Sequence, residues 1–208
     1  MESKIYVPER NRLIVDTWLK YVRNKRTVVF CASVKHAEQI AELRLYMQKR
    51  SDGALFGPEG SGKSTLLRCV FNIDYRKEMA RNHTLIYMGE FPKGKSSEDV
   101  YGFFADSIRN AVSILRMCGM RDTMNEILEC LNDISYDSKQ SRFDQYLDTI
   151  IMYGYRMVFV LDNFENFTSS ADVKAEHHNL LCGMLNDHKL QMIVATNFDF
   201  NATSLPRG

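Results

Sequence analysis

Gly57-Pro58-Glu59-Gly60-Ser61-Gly62-Lys63-Ser64-Thr65 fits the phosphate-cradling pattern G-x-x-x-x-G-K-[ST] at every fixed position. The flanks agree with it. Ala54, Leu55 and Phe56 precede the pattern as a strand would, and Leu66, Leu67, Arg68, Cys69, Val70 and Phe71 follow it at helical spacing. An ordinary Gly/Ser-rich turn would lack both. The glycines let the backbone turn tightly and aim successive N–H groups into one concave nest, at the positive end of the helix that follows. The stretch therefore points to a bound nucleoside triphosphate. Lys63 is placed to reach its β and γ phosphates, and the Ser64 hydroxyl to ligate Mg²⁺.

Arg156-Met157-Val158-Phe159-Val160-Leu161-Asp162 is the second informative stretch. An apolar run ending in Asp describes a buried strand with a Mg²⁺-side carboxylate at its C-terminal edge, the Walker B arrangement. Alone this signal is weak, because Asp162 would serve equally as a turn or helix cap. Downstream of a complete phosphate loop it gains weight, and Asp162 becomes the partner of Ser64 at the metal. A further apolar run, Leu190 to Thr196, ends at Asn197. In ATPases with an extra strand between the two motifs, this position holds a polar sensor of the γ-phosphate. Asn197 is the first candidate and Thr196 the second, the alternative being that Asn197 only caps the turn.

The bulk numbers frame these motifs. At 208 residues the chain has room for one sizeable α/β core. Apolar residues at 45% and charged residues at 25% are ordinary for a globular protein. A net charge of +1, from 27 basic and 26 acidic side chains, gives no global field to draw in nucleic acid or an anionic membrane. Cys31, Cys69, Cys118, Cys130 and Cys182 form no C-x-x-C pair, and several fall in apolar stretches that suit buried thiols in a reducing cytoplasm. No apolar run approaches the ~20 residues that span a bilayer. Glu2, Lys4 and Glu9 around a short apolar patch are unlike a secretory signal.

Periodicity fills in the remaining elements. Helices are expected over residues 8–25 and 34–49, with a strand at Thr27 to Cys31 between them. Lys20, Arg23, Lys25 and Arg26 read as a solvated helix end rather than a phosphate-binding patch. Asn72 to Asn82 is polar and reads as a loop or helix end. Thr84 to Gly89 forms the next strand. A helix from Glu98 to Met117, capped by Ser97, Glu98 and Asp99, faces the core with Val100, Phe103, Phe104, Ile108, Val112 and Leu115. Two further helices follow, near Met124–Leu131 and Ser141–Tyr153. Met117, Met120 and Met124 read as core or gap-filling residues. A last helix, over residues 173–187, carries His177 and His178, for which no further ligands at metal spacing are evident.

Residues 8–43 are similar to the start of the second RecA-like domain of superfamily-two helicases, through Asn11 to Trp18 and Arg26 to Leu43, including Ser33-Val34-Lys35-His36-Ala37. The match reads as a borrowed fragment, and no helicase activity follows from it. From about Ser51 onward the chain resembles the nucleotide-binding core of AAA+ ATPases of the origin recognition complex type and their STAND-like relatives. Leu55 to Thr65, Val160 to Glu165 and Ile193 to Asn197 carry the likeness. The resemblance implies an α/β fold: a three-layer P-loop NTPase sheet, mostly parallel, with helices on both faces. Residues 51–208 would form the core, truncated before the lid, and residues 1–50 a helix–strand–helix segment packed onto it. The Thr27 to Cys31 strand would cover the bare edge beside the P-loop strand. ATP and Mg²⁺ are the implied ligands. Lys63 would be the phosphate lysine, Ser64 and Asp162 the metal side, and Asn197 the sensor.

One departure bears on catalysis. Hydrolysing relatives commonly place Glu directly after the strand-end Asp, where this chain has Asn163, which cannot accept a proton at neutral pH. Glu165 substitutes only if the strand end bends it towards the γ-phosphate. The expectation is an ATP·Mg²⁺-binding switch with slow or partner-assisted hydrolysis. The alternative is a nucleic-acid-associated ATPase of helicase or initiator type, with a small-molecule kinase third. Protein or DNA partners are both open.

Overall fold

The computed structural model describes residues 47, 50, 52–93, 97–168 and 190–197. Four strands form one parallel sheet: β1 (Gly53–Phe56), β2 (Thr84–Glu90), β3 (Arg156–Asp162) and β4 (Leu190–Thr196), in the order β1-β4-β3-β2. Among the described residues seven helices connect them: α1 (Lys63–Val70), α2 (Ile73–Arg81), α3 (Ser97–Val112), α4 (Ile114–Met117), α5 (Arg121–Asp133), α6 (Lys139–Met152) and α7 (Glu165–Thr168). The fold is the α/β P-loop arrangement expected from the motifs.

The strand sequences explain the order. β3 and β4 are apolar almost throughout and lie inside the sheet, where both faces are covered. β2 is buried for its first three residues and opens towards Glu90, as suits a strand paired on one side among the described elements. Successive side chains of a strand point to opposite faces, so β3 feeds two cores. Met157, Phe159 and Leu161 meet Val100, Phe104, Ile108, Phe143, Leu147 and Ile150 of α3 and α6. Val158 and Val160 meet Leu66, Leu67, Val70 and Phe71 of the α1 segment. The result is three layers, helix, sheet and helix. The rings of Phe104 and Phe159 cross edge-to-face at 4.9 Å where α3 touches the sheet.

Three local expectations are corrected. Residues 73–81 are a helix, not a loop: the Asn72 side chain accepts from the Tyr75 N–H at 3.0 Å and caps the first turn. The long helix expected to reach Met117 is divided at Ser113, whose hydroxyl donates to the Asn110 carbonyl at 2.6 Å and competes for a helical acceptor. Met117 is 61% exposed, whereas Met120 and Met124 pack against the core as expected. Cys69, Cys118 and Cys130 are half-buried.

Several expectations lie outside the described residues: the helix over 8–25, the strand at 27–31 and its pairing with β1, the helix over 173–187 with His177 and His178, and the Ser97 and Glu98 side chains. Met47, the one described residue of the 34–49 helix, is helical and buried in the same core layer as Leu55 and Leu66. Asp99 holds Lys139 of α6 at 2.9 Å.

Candidate functional site

All four strands point their C-terminal ends to the same edge of the sheet, the edge at which open α/β folds hold ligands. β1 runs directly into the glycine-rich turn. Gly60 (φ +76°) and Gly62 (φ +92°) take the left-handed conformation, which a side chain would strain, and Gly62 occupies the N-cap of α1. No side chain caps α1. Its first intrahelical bond runs from the Leu66 N–H to the Gly62 carbonyl at 2.9 Å, so the amides of Lys63, Ser64 and Thr65 lie ahead of that ladder. That is the anion-binding arrangement a helix N-terminus offers. Gly57 is tightly enclosed: a Cβ there would stand 2.7 Å from Ser61 Oγ.

The Lys63 ammonium has three protons and three acceptors. It donates to the carbonyls of Gly57 (2.6 Å) and Pro58 (3.0 Å) and to Asn197 Oδ1 (2.8 Å). Asn197, just past the end of β4, in turn gives its Nδ2 proton to Glu165 Oε1 at 2.7 Å, and its backbone N–H to Glu165 Oε2 at 3.3 Å. The polarity of these contacts fixes the amide. An ammonium only donates and a carboxylate only accepts, so Oδ1 must face Lys63 and Nδ2 must face Glu165. Thr196, the other sensor candidate, is fully buried within β4.

Asp162 ends β3 at 6% exposure, on the face it shares with Val158 and Val160 and with the α1 side of the core. Its Oδ1 accepts from the Asn163 N–H at 3.0 Å. Asn163 is left-handed (φ +53°), a conformation Asn tolerates better than most residues, and this is the bend that carries the chain off β3. Phe164 then turns into the core, and its N–H bonds the Ala195 carbonyl of β4 at 2.9 Å. Glu165 follows as the first residue of α7. The chain bends after β3, and the Glu165 carboxylate meets Asn197, whose Oδ1 accepts from Lys63.

Ser64 on α1 and Asp162 on β3 supply hard oxygen donors, a hydroxyl and a carboxylate, the chemistry that suits Mg²⁺ shared with a phosphate ligand. Among the described residues no group of three or more His, Cys, Asp or Glu forms a metal cluster.

Sequence reasoning did not single out Asn166. Its Nδ2 donates to the Phe91 carbonyl at 2.8 Å and its N–H to the Asn163 carbonyl at 3.0 Å, while the Phe91 N–H bonds the Asp162 carbonyl at 2.9 Å. No motif marks this residue, because its side chain's partner is a backbone atom distant in sequence.

A parallel sheet whose first strand enters a glycine-rich turn and lysine-bearing helix, with a strand ending in a buried Asp one strand further across, defines a P-loop ATPase core. Within that class, a family model described as an AAA domain matches residues 46–201, and the chain belongs to that family. No curated protein matches the chain. Among solved structures, it is similar to Cdc6p from Pyrobaculum aerophilum (14% identity, TM-score 0.45, covering 83% of this chain and 41% of that one). It is also similar to the ORC2 protein of Aeropyrum pernix, solved in ADPNP–ADP complexes (12% identity, TM-score 0.46, covering 88% and 46%). The transporter component cbiO1 from Clostridium perfringens matches at 16% identity and a TM-score of 0.33, covering 71% and 67%. The chain spans less than half the length of the first two. No helix among the described residues is long and apolar enough to cross a membrane.

Proposed function

We propose that this chain is an ATP·Mg²⁺-binding module of AAA and STAND-like type, working as a nucleotide-dependent switch whose hydrolysis is slow or assisted by a partner. The observation that carries the reading is the convergence of Lys63, Asn197 and Glu165 through hydrogen bonds of 2.8 and 2.7 Å at the mouth of the phosphate loop. Those three residues come from α1, the end of β4 and the start of α7, and a purely structural turn would not need them together.

In this reading Gly57 to Thr65 wrap the phosphates, and Lys63 exchanges the Gly57 and Pro58 carbonyls for β and γ oxygens. Ser64 and Asp162 would hold Mg²⁺, whose charge would neutralise the phosphate oxygens. Asn197 reports the γ-phosphate through the amide that now bridges Lys63 and Glu165. Asn163 shapes the turn. Glu165 is the carboxylate able to orient water, and α7 begins with it. The partner that assists hydrolysis would be protein or DNA. We further propose that residues 1–50 pack onto the 51–208 core, and that the protein works in the cytoplasm, where its half-buried cysteines stay reduced.

Titration calorimetry with ATP, ADP and the Lys63→Ala variant tests the reading. Tight Mg²⁺-dependent ATP binding that disappears in Lys63→Ala supports it, and binding that survives the substitution refutes it. A fall of DNA affinity with rising salt would favour the nucleic-acid alternative, because phosphate contacts release counterions.

A further inference from the structure

We infer that Asn166 is a positioning residue for Glu165, setting where that carboxylate stands against Asn197; the inference rests on the ATPase reading above. The turn after β3 is pinned at two places. On one side, the Phe164 N–H bonds the Ala195 carbonyl of β4 at 2.9 Å. On the other, Asn166 Nδ2 bonds the Phe91 carbonyl at 2.8 Å, just past the end of β2, and Phe91 is itself tied to β3 through the Asp162 carbonyl at 2.9 Å. Glu165 lies between the two pins. Its carboxylate grips Asn197 through both oxygens, at 2.7 and 3.3 Å.

The described part of α7 is a single turn, placed in part by tertiary contacts, and the Asn166 side chain supplies one that reaches the end of β2. Asn166 acts through the residue before it, whose carboxylate accepts from Asn197. Without its Nδ2 donor, the Phe91 carbonyl loses a partner and the first turn of α7 loses its hydrogen bond to the end of β2. Glu165 then samples positions away from Asn197, and a displacement of about 1 Å in a reacting group can cost on the order of a hundredfold in rate.

The test uses the full chain, with enzyme in excess over labelled ATP so that slow turnover is counted. Asn166→Asp keeps the shape but cannot donate at neutral pH, whereas Asn166→His returns an N–H at the same number of bonds from Cα. The expected result is a single-turnover rate reduced about tenfold or more in Asn166→Asp, ADP affinity within about twofold of the parent, and recovery of rate in Asn166→His. In a Glu165→Gln background, Asn166→Asp should then have no further effect, because both act through one group. An unchanged rate in Asn166→Asp alongside a slow Glu165→Gln overturns the inference alone. ADP affinity that falls in step with the rate also overturns it, since the defect is then structural. An unaltered rate in Glu165→Gln, or no parental turnover above that of Lys63→Ala, overturns the ATPase reading on which it rests.

Discussion

The three protons of Lys63 are all used within the protein, on two loop carbonyls and Asn197, so an incoming phosphate must replace neutral acceptors with charged ones. That exchange is favourable, because the ammonium then faces anionic rather than neutral oxygens. Asn197→Ala removes the bridge to Glu165 and is expected to weaken ATP binding more than ADP binding, measured as the ratio of the two Kd values; an unchanged ratio would show that Asn197 does not sense the γ-phosphate. At the neighbouring bend, Asn163 sits at φ +53°. Asn163→Gly is expected to keep the melting temperature, while Asn163→Val should lose about 1–2 kcal/mol in urea denaturation, since a β-branched side chain resists the left-handed region. Asn163→Glu is expected to bring no gain in turnover, because Glu165 already stands beside Asn197. Lys63, Asp162 and Asn197 could be placed from sequence because each closes a recognisable strand or loop pattern. The bend at Asn163 and the reach of Asn166 could not, because they depend on backbone atoms of Phe91 and Ala195 that meet them only after folding.

β3 shows an element whose sequence and position agree. RMVFVLD is apolar on both faces because it lies between β4 and β2 with helices above and below, and its limits were readable to the residue. Phe159→Ala on this strand is expected to cost about 3–5 kcal/mol in chemical denaturation, since it empties a fully buried position against Phe104. α2 is the opposite case. Ile73–Arg81 buries Ala80 fully and little else, so its apolar periodicity is faint, and what starts it is one polar cap. Asn72→Ala should therefore lower stability by about 1 kcal/mol, read as a shifted urea midpoint, and no shift would mean that packing of α2 against β2 suffices. The break between α3 and α4 escaped notice for a related reason. Ser113 carries no glycine or proline signal, and its competition for the Asn110 carbonyl is a matter of rotamer.

At the scale of the molecule, two cores on opposite faces of one sheet hold the strand ends in register, and the phosphate loop, Asp162, Glu165 and Asn197 share the edge that this register creates. The site is assembled from segments far apart in the chain, so a ligand that joins them should stabilise the whole core. Saturation at a hundred times Kd corresponds to about 2.7 kcal/mol. The most direct measurement is thermal unfolding of the parent and Lys63→Ala proteins with ATP, with and without Mg²⁺. The account predicts that ATP·Mg²⁺ raises the parent's melting temperature by several degrees and leaves Lys63→Ala unmoved. An equal rise in both proteins, or none in the parent at millimolar ATP, would contradict it.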